Sequence, residues 1–212
     1  MIINSQLGGK KPTGTKQITT NGIHDVAGYA NADVQVPTTA PALYREFQIA
    51  YGTLQPNTTT THVMDFTGVT DIAPDVLAYA YYNNRAISGA IDMSDLTSIS
   101  GNSACNYAFY GCTGITSVDL SSLTTIDTYG CSNMFSGCTG ITSINLSALT
   151  TIIGSYACSN MFSGCTGITS INLSALTGIT GNQACSTMFN GCTGITSIDL
   201  SALTTIIGSY GS

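Results

Sequence analysis

The sequence predicts an α/β solenoid: short parallel strands stacked coil on coil, alternating with short convex helical turns, and preceded by a small N-terminal β-hairpin module. Three observations carry this prediction. A unit of 26–27 residues recurs six times in phase. Each unit holds an alternating strand pattern followed by a segment of helical spacing. Charged residues make up only 8% of a chain that is 43% hydrophobic, where a typical globular domain is roughly 25% charged. The polar surface must therefore be Ser, Thr, Asn and Gly.

The repeat is plainest at the acidic or amide residue inside each short apolar run. These are Asp65, Asp92, Asp119, Asn145, Asn172 and Asp199, at successive spacings of 27, 27, 26, 27 and 27. Ile144, Leu146, Leu149 and Ile152 match Ile171, Leu173, Leu176 and Ile179, then Ile198, Leu200, Leu203 and Ile206. Val118, Leu120, Leu123 and Ile126; Ile91, Met93, Leu96 and Ile99; and Met64, Phe66, Val69 and Ile72 are looser copies in the same register. No such unit can bury its own apolar face, but stacked neighbours share one continuous core.

Within a unit, Ser143-Ile144-Asn145-Leu146-Ser147 alternates as a strand, Ile144 and Leu146 inward and the polar residues outward. In the following segment Cys158, Met161, Phe162 and Cys165 fall at i, i+3, i+4 and i+7, the stripe of one or two helical turns. Gly164 is placed to end it. The short unit loses its residue between Ile126 and Cys131, in a turn where a deletion is expected to disturb no core position.

The run from Asn106 to Ile126, with Ala108-Phe109, Gly111-Cys112 and then spaced Ile and Leu positions, resembles the BspA-like, treponemal-type leucine-rich repeat. Met134-Phe135, Met161-Phe162 and Met188-Phe189 fill the Ala-Phe slot in later copies. The resemblance covers about residues 62–212 and departs in using Ile where Leu is commoner. It implies a right-handed leucine-rich-repeat solenoid used for adhesion and for protein or glycan recognition, mostly on bacterial surfaces.

All eight cysteines lie in the repeats as pairs seven apart: Cys105/Cys112, Cys131/Cys138, Cys158/Cys165 and Cys185/Cys192. Partners seven apart on a helix sit roughly 10 Å apart, beyond disulfide reach. Zinc would want closer pairs such as C-x2-C. Buried free thiols stacked as two structural spines are the first reading. Disulfides between stacked copies and a metal site are the alternatives.

The outward strand face presents a small, polar ladder: Ser117 and Asp119, Ser143 and Asn145, Ser170 and Asn172, Ser197 and Asp199. One reading is a glycan- or protein-docking face, its carboxylates able to hold calcium. The other is a solvated ladder in which Asn relieves repulsion between stacked carboxylates. Aromatic anchors suited to binding lie elsewhere, at Tyr82, Tyr110, Tyr129, Tyr156 and Tyr210, while the phase puts Tyr81 and Phe109 in the core.

Residues 1–43 read as a small β-rich head and linker, and residues 44–212 as the six-repeat solenoid with an N-terminal capping hairpin. Asn21-Gly22 is a type I′ turn signal between Gln17–Thr20 and Ile23–Val26. Tyr44–Tyr51 and Thr59–Met64 would form the capping hairpin. Residues 12–37 resemble a short module of tail and virion proteins from phages of Gram-positive gut bacteria. At the other end, an uncapped last strand is expected to invite self-association.

Charge distribution argues against an enzyme. Every Lys, Arg, His and Glu lies at or before Arg85, leaving only Asp92, Asp95, Asp119, Asp127 and Asp199 as charged side chains beyond it. General acid–base work has no convergent set there. The net charge of −6 argues against nucleic acid. No signal segment or membrane span is visible. The expectation is a non-enzymatic attachment protein with no cofactor and no metal, made in the host cytoplasm and displayed on a virion as a phage tail or capsid accessory component. It would bind protein or glycan on a host surface and form a homo-oligomer or larger assembly. The alternative is a bacterial cell-surface adhesin of the same repeat family, its export signal lying outside this sequence.

Overall fold

A computed structural model describes residues 16–19, 22–25, 66, 68–72, 74 and 77–209. Thirteen short strands occur among them. The head contributes β1 (Lys16–Thr19) and β2 (Gly22–Asp25). Then follow β3 (Val69–Ile72), β4 (Ser88–Asp92), β5 (Ser98–Ile99), β6 (Gly114–Asp119) and β7 (Thr125–Ile126). The later coils add β8 (Ser143–Asn145), β9 (Thr151–Ile152), β10 (Ser170–Asn172), β11 (Gly178–Ile179), β12 (Ser197–Asp199) and β13 (Thr205–Ile206).

Each coil gives one strand to each of two five-stranded sheets, ordered β4-β6-β8-β10-β12 and β5-β7-β9-β11-β13. All pairings within them are parallel and join equivalent residues: Val118 with Ile144, Ile171 with Ile198, Ile126 with Ile152, Ile152 with Ile179. Register follows from burial, since a slip of one residue would turn every inward Ile to solvent. The inward positions of the second to fifth units are buried, among them Met93, Leu120, Leu146 and Leu173, except for the half-buried Ile179, and one core runs from Phe66 to Cys192. In the last coil Ile198, Leu200 and Ile206 are exposed.

The head hairpin is antiparallel, and β1 also runs parallel to β3, pairing Ile18 with Ile72. Its register sets Thr19 against Gly22, two residues off the pairing of Thr19 with His24 that an Asn21-Gly22 turn would give. The segments Tyr44–Tyr51 and Thr59–Met64 lie outside the described residues.

The convex segments correct the sequence reading. Among the described residues there is no helix. Each segment is instead a ribbon of overlapping turns whose N–H groups alternate in direction. Ser159, Met161, Ser163 and Cys165 donate three residues back within their own coil, to Tyr156, Cys158, Asn160 and Phe162. Cys158, Asn160, Phe162 and Gly164 donate across to Ala184, Ser186, Met188 and Asn190 of the next coil at 2.7–3.0 Å. The reason is spacing. Helix axes pack 8–10 Å apart, whereas strands in a sheet stand about 4.8 Å apart. A helix in every coil would splay the convex side and curve the stack, whereas a flat turn ribbon stacks at the strand pitch. Its burial pattern imitates a helical stripe, which is why the sequence misleads here.

The ribbon needs left-handed backbone every four residues: at Ser103, Tyr107 and Gly111; Tyr129, Asn133 and Gly137; Tyr156, Asn160 and Gly164; Gln183, Thr187 and Gly191. Gly164 is thus one step in the ribbon, not the end of a helix. The short coil stays in phase because its deletion falls before Tyr129, as read from the sequence. It does reach a core position, however. Where other coils carry Ala104, Ala157 and Ala184, this one has Gly130, and a Cβ there would lie 3.0 Å from the Ile99 side chain and 3.1 Å from that of Ile126.

Candidate functional site

The strand ladder comes together as read, but its amides and carboxylates are engaged by the backbone. Sheet register stacks Ser117 on Ser143, Asp119 on Asn145, Ser170 on Ser197 and Asn172 on Asp199. Each Asp or Asn then accepts the N–H two residues on: Ser121 to Asp119 at 2.9 Å, Ser147 to Asn145 at 3.2 Å, Ser174 to Asn172 at 3.0 Å and Ser201 to Asp199 at 3.0 Å. These bonds turn the chain out of each strand. The backbone N–H and hydroxyl of Ser201 hold Asp199 below the usual carboxylate range. Ser143, Ser170 and Ser197 stay exposed, and Ser117 is half-buried.

The cysteines form two columns, Cys105-Cys131-Cys158-Cys185 and Cys112-Cys138-Cys165-Cys192, free of disulfides. In the second column each thiol donates to the carbonyl of the core aromatic one coil back. Cys112 reaches Tyr81 at 3.0 Å, Cys138 reaches Phe109 at 3.0 Å, Cys165 reaches Phe135 at 3.1 Å and Cys192 reaches Phe162 at 2.9 Å. Burial pushes the thiols of Cys112 and Cys165 up to about 12 and that of Cys185 to about 11. Burial of this kind disfavours the thiolate and makes these thiols poor nucleophiles. Among the described residues no cluster of His, Cys, Asp and Glu could hold a metal ion.

Tyrosines supply the outward features. Tyr81 and Phe109 are in the core, stacked 5.0 Å apart, and Phe135, Phe162 and Phe189 continue that spine. On the ribbon's outer side Tyr82 stacks on Tyr110 with ring centroids 4.9 Å apart, and Tyr129 stacks on Tyr156 at 5.1 Å. Tyr210 lies outside the described residues. Tyr79 and Tyr107 crowd the same segments in sequence without being singled out there as exposed; they stack at 4.9 Å and sit 5.7 Å and 5.5 Å from Tyr82 and Tyr110. The signal was present as Tyr79-x-x-Tyr82 repeated in Tyr107-x-x-Tyr110. It was unreadable without knowing that the two positions share one face of a turn ribbon.

The backbone adds a cost. Tyr79, Tyr107, Tyr129 and Tyr156 all have positive φ, between 52° and 58°. Left-handed backbone costs an ordinary residue roughly 1–2 kcal/mol, and Asn and Gly bear it best. Coils 3 and 4 use Asn133 and Asn160 in the slot where coils 1 and 2 hold Tyr79 and Tyr107.

The model for the BspA type leucine rich repeat region matches residues 76–211 in six copies. The chain belongs to this family. Among solved structures, this BspA-type chain is similar to the leucine-rich repeat protein of T. pallidum, at 18% identity, covering 70% of this chain and 66% of that one, with a TM-score of 0.42. It is also similar to a leucine-rich repeat protein from Bacteroides ovatus ATCC 8483, at 21% identity over 65% of this chain and 40% of that one, with a TM-score of 0.37. No curated protein matches the chain in sequence. At the last coil of the BspA-type solenoid an open cleft of about 390 Å³ is walled by Leu176, Ile179, Phe189, Ile198 and Leu200. It is the uncovered end of the core and holds no ionisable side chain but Cys185.

Proposed function

We propose that this BspA-type protein is a non-enzymatic binding protein of the adhesin kind, recognising its ligand with the outer surface of the solenoid. One observation supports the reading above the others: the scaffold consumes the reactive groups and leaves the tyrosines out. The four second-column thiols donate to main-chain carbonyls, and the ladder Asp and Asn residues accept main-chain N–H groups. Tyr79 and Tyr129, by contrast, are 40% and 38% exposed. Tyrosine on a rigid frame offers large contact area at low entropic cost.

Display on a virion is the setting that the resemblance of residues 12–37 suggests, and display on a bacterial surface the setting that the repeat family suggests. Immunogold labelling of the full chain separates them, by whether label falls on particles or on cell envelopes. Labelled full chain is expected to bind target cells saturably. Label confined to the cytosol, with no saturable binding to cells or matrix, sinks the proposal.

A further inference from the structure

We propose that Tyr107 and Tyr110, with the polar floor of the coils that follow, form a binding shelf for a neutral carbohydrate. This rests on the reading of the chain as a binding protein and names the ligand class and its place.

The shelf arises from a step in the ribbon. In coils 1 and 2 the two outward columns hold Tyr79 and Tyr82, then Tyr107 and Tyr110, and each tyrosine covers the ring face of its partner with planes 9° apart. In coil 3 the same columns hold Asn133 and Ser136, and in coil 4 Asn160 and Ser163. Short side chains there leave Tyr107 and Tyr110, both half-buried, without a stacked ring on their coil-3 side, their own rings 5.5 Å apart and tilted by 49°. Coils 3 and 4 also carry the stacked pair Tyr129 and Tyr156, four residues before Asn133 and Asn160. Two aromatic faces therefore stand over a floor of amides and hydroxyls.

The ribbon does not call for tyrosine here: Tyr107 occupies a left-handed position where Asn133 and Asn160 sit at less strain. Beside Tyr107, the amide oxygen of Asn106 is buried without a hydrogen-bond partner, a second feature the fold alone does not explain.

The chemistry selects the ligand. A pyranose has one face of C–H groups, which packs on an aromatic ring, and a rim of hydroxyls, which pair with amides and hydroxyls. The ribbon segments around the shelf carry no charge apart from Arg85 and Asp127. A strongly charged partner would find little to pair with, whereas a neutral sugar loses nothing by that. The exposed Ser and Thr of the flanking coils extend the same uncharged surface.

The test uses the full chain on a printed array of neutral oligosaccharides, sialylated and sulfated oligosaccharides, and peptides. The expected result is binding to a subset of neutral glycans. Affinity for the best of them should fall on the order of tenfold or more in the double variant Tyr107→Asn/Tyr110→Ser, which copies coil 3. That variant keeps residues the ribbon already accepts, so circular dichroism and melting should show it folded. Tyr129→Asn serves as a second variant, with a smaller loss. Binding confined to peptides or charged glycans overturns the proposal, as does neutral-glycan binding that the double variant leaves intact. If the chain binds target cells equally well with and without the two tyrosines, the shelf fails while the binding-protein reading stands.

Discussion

The two sides of the turn ribbon obey different rules, although the same residues of backbone build both. On the inner side the chain repeats itself: Tyr81, Phe109, Phe135, Phe162 and Phe189 form one stack, and Cys112, Cys138, Cys165 and Cys192 another column. On the outer side one column reads Tyr79, Tyr107, Asn133, Asn160, Thr187, and the next reads Tyr82, Tyr110, Ser136, Ser163, Asn190. Inside, close packing at one coil pitch admits one shape, so each coil carries the same residue or a near copy. Outside, the ribbon imposes only a tolerance for positive φ. Residue identity there is free to vary from coil to coil.

Alkaline pH puts the greatest strain on the inner side. A free thiol titrates near 9.0, but burial holds Cys112 and Cys165 near 12 in the folded chain. A raised folded value means the stabilising effect is complete below pH 9 and is lost as pH climbs toward 12. Each such thiol withdraws up to about 1.4 kcal/mol per pH unit over that window, and burial raises all eight. Urea unfolding at pH 8, 9 and 10 should show a steep decline; a flat profile would break the inner half of the comparison.

Phe135→Ala comes next. It removes a fully buried ring from the middle of the stack and should cost about 3–5 kcal/mol, read as a lower denaturation midpoint. Gly130→Ala sharpens the point, because alanine is native at the equivalent Ala157. In the shortened coil the added methyl meets Ile99 and Ile126 at 3.0–3.1 Å, and a loss of roughly 1–3 kcal/mol is expected. A neutral result would mean that the corner yields freely.

Changes away from the core, first on the strand face and then on the ribbon's outer side, should be smaller. Asn145→Ala deletes the acceptor for the Ser147 N–H and should cost about 1 kcal/mol. Smallest is Tyr107→Asn, where relief of left-handed strain opposes loss of a ring stack worth about 0.5–1.5 kcal/mol. The two nearly cancel, so unfolding free energy should stay within about 1 kcal/mol of the parent. A loss beyond twice that would show that the tyrosines hold the ribbon together and would remove the contrast between its two sides.

How much was legible differs by feature. The phase of Asp65 through Asp199 located the strands and their inward Ile and Leu positions, because stacking requires equivalent residues to meet. The cysteine columns were legible for the same reason, though their bonds to aromatic carbonyls were not. The convex segment was misread because apolar residues at i, i+3, i+4 and i+7 suit a turn ribbon as well as a helix. The stacking of the strand ladder was legible, but not that its Asx groups are bound to the backbone two residues on, a contact that spacing alone does not distinguish from a solvated ladder.

By itself the sequence determined that the chain stacks in coils of 26–27 residues, with Ile, Leu, Phe and Cys inward and no His, Lys, Arg or Glu beyond Arg85, since periodicity and composition depend only on residue order. The tertiary structure alone decided the convex geometry, because the bonds from each turn ribbon to the next coil exist only in the stack. It alone also set Tyr79, Tyr82, Tyr107 and Tyr110 together on one face, above the amides of the next coils. Residues far apart along the chain become neighbours only when the coils close on one another.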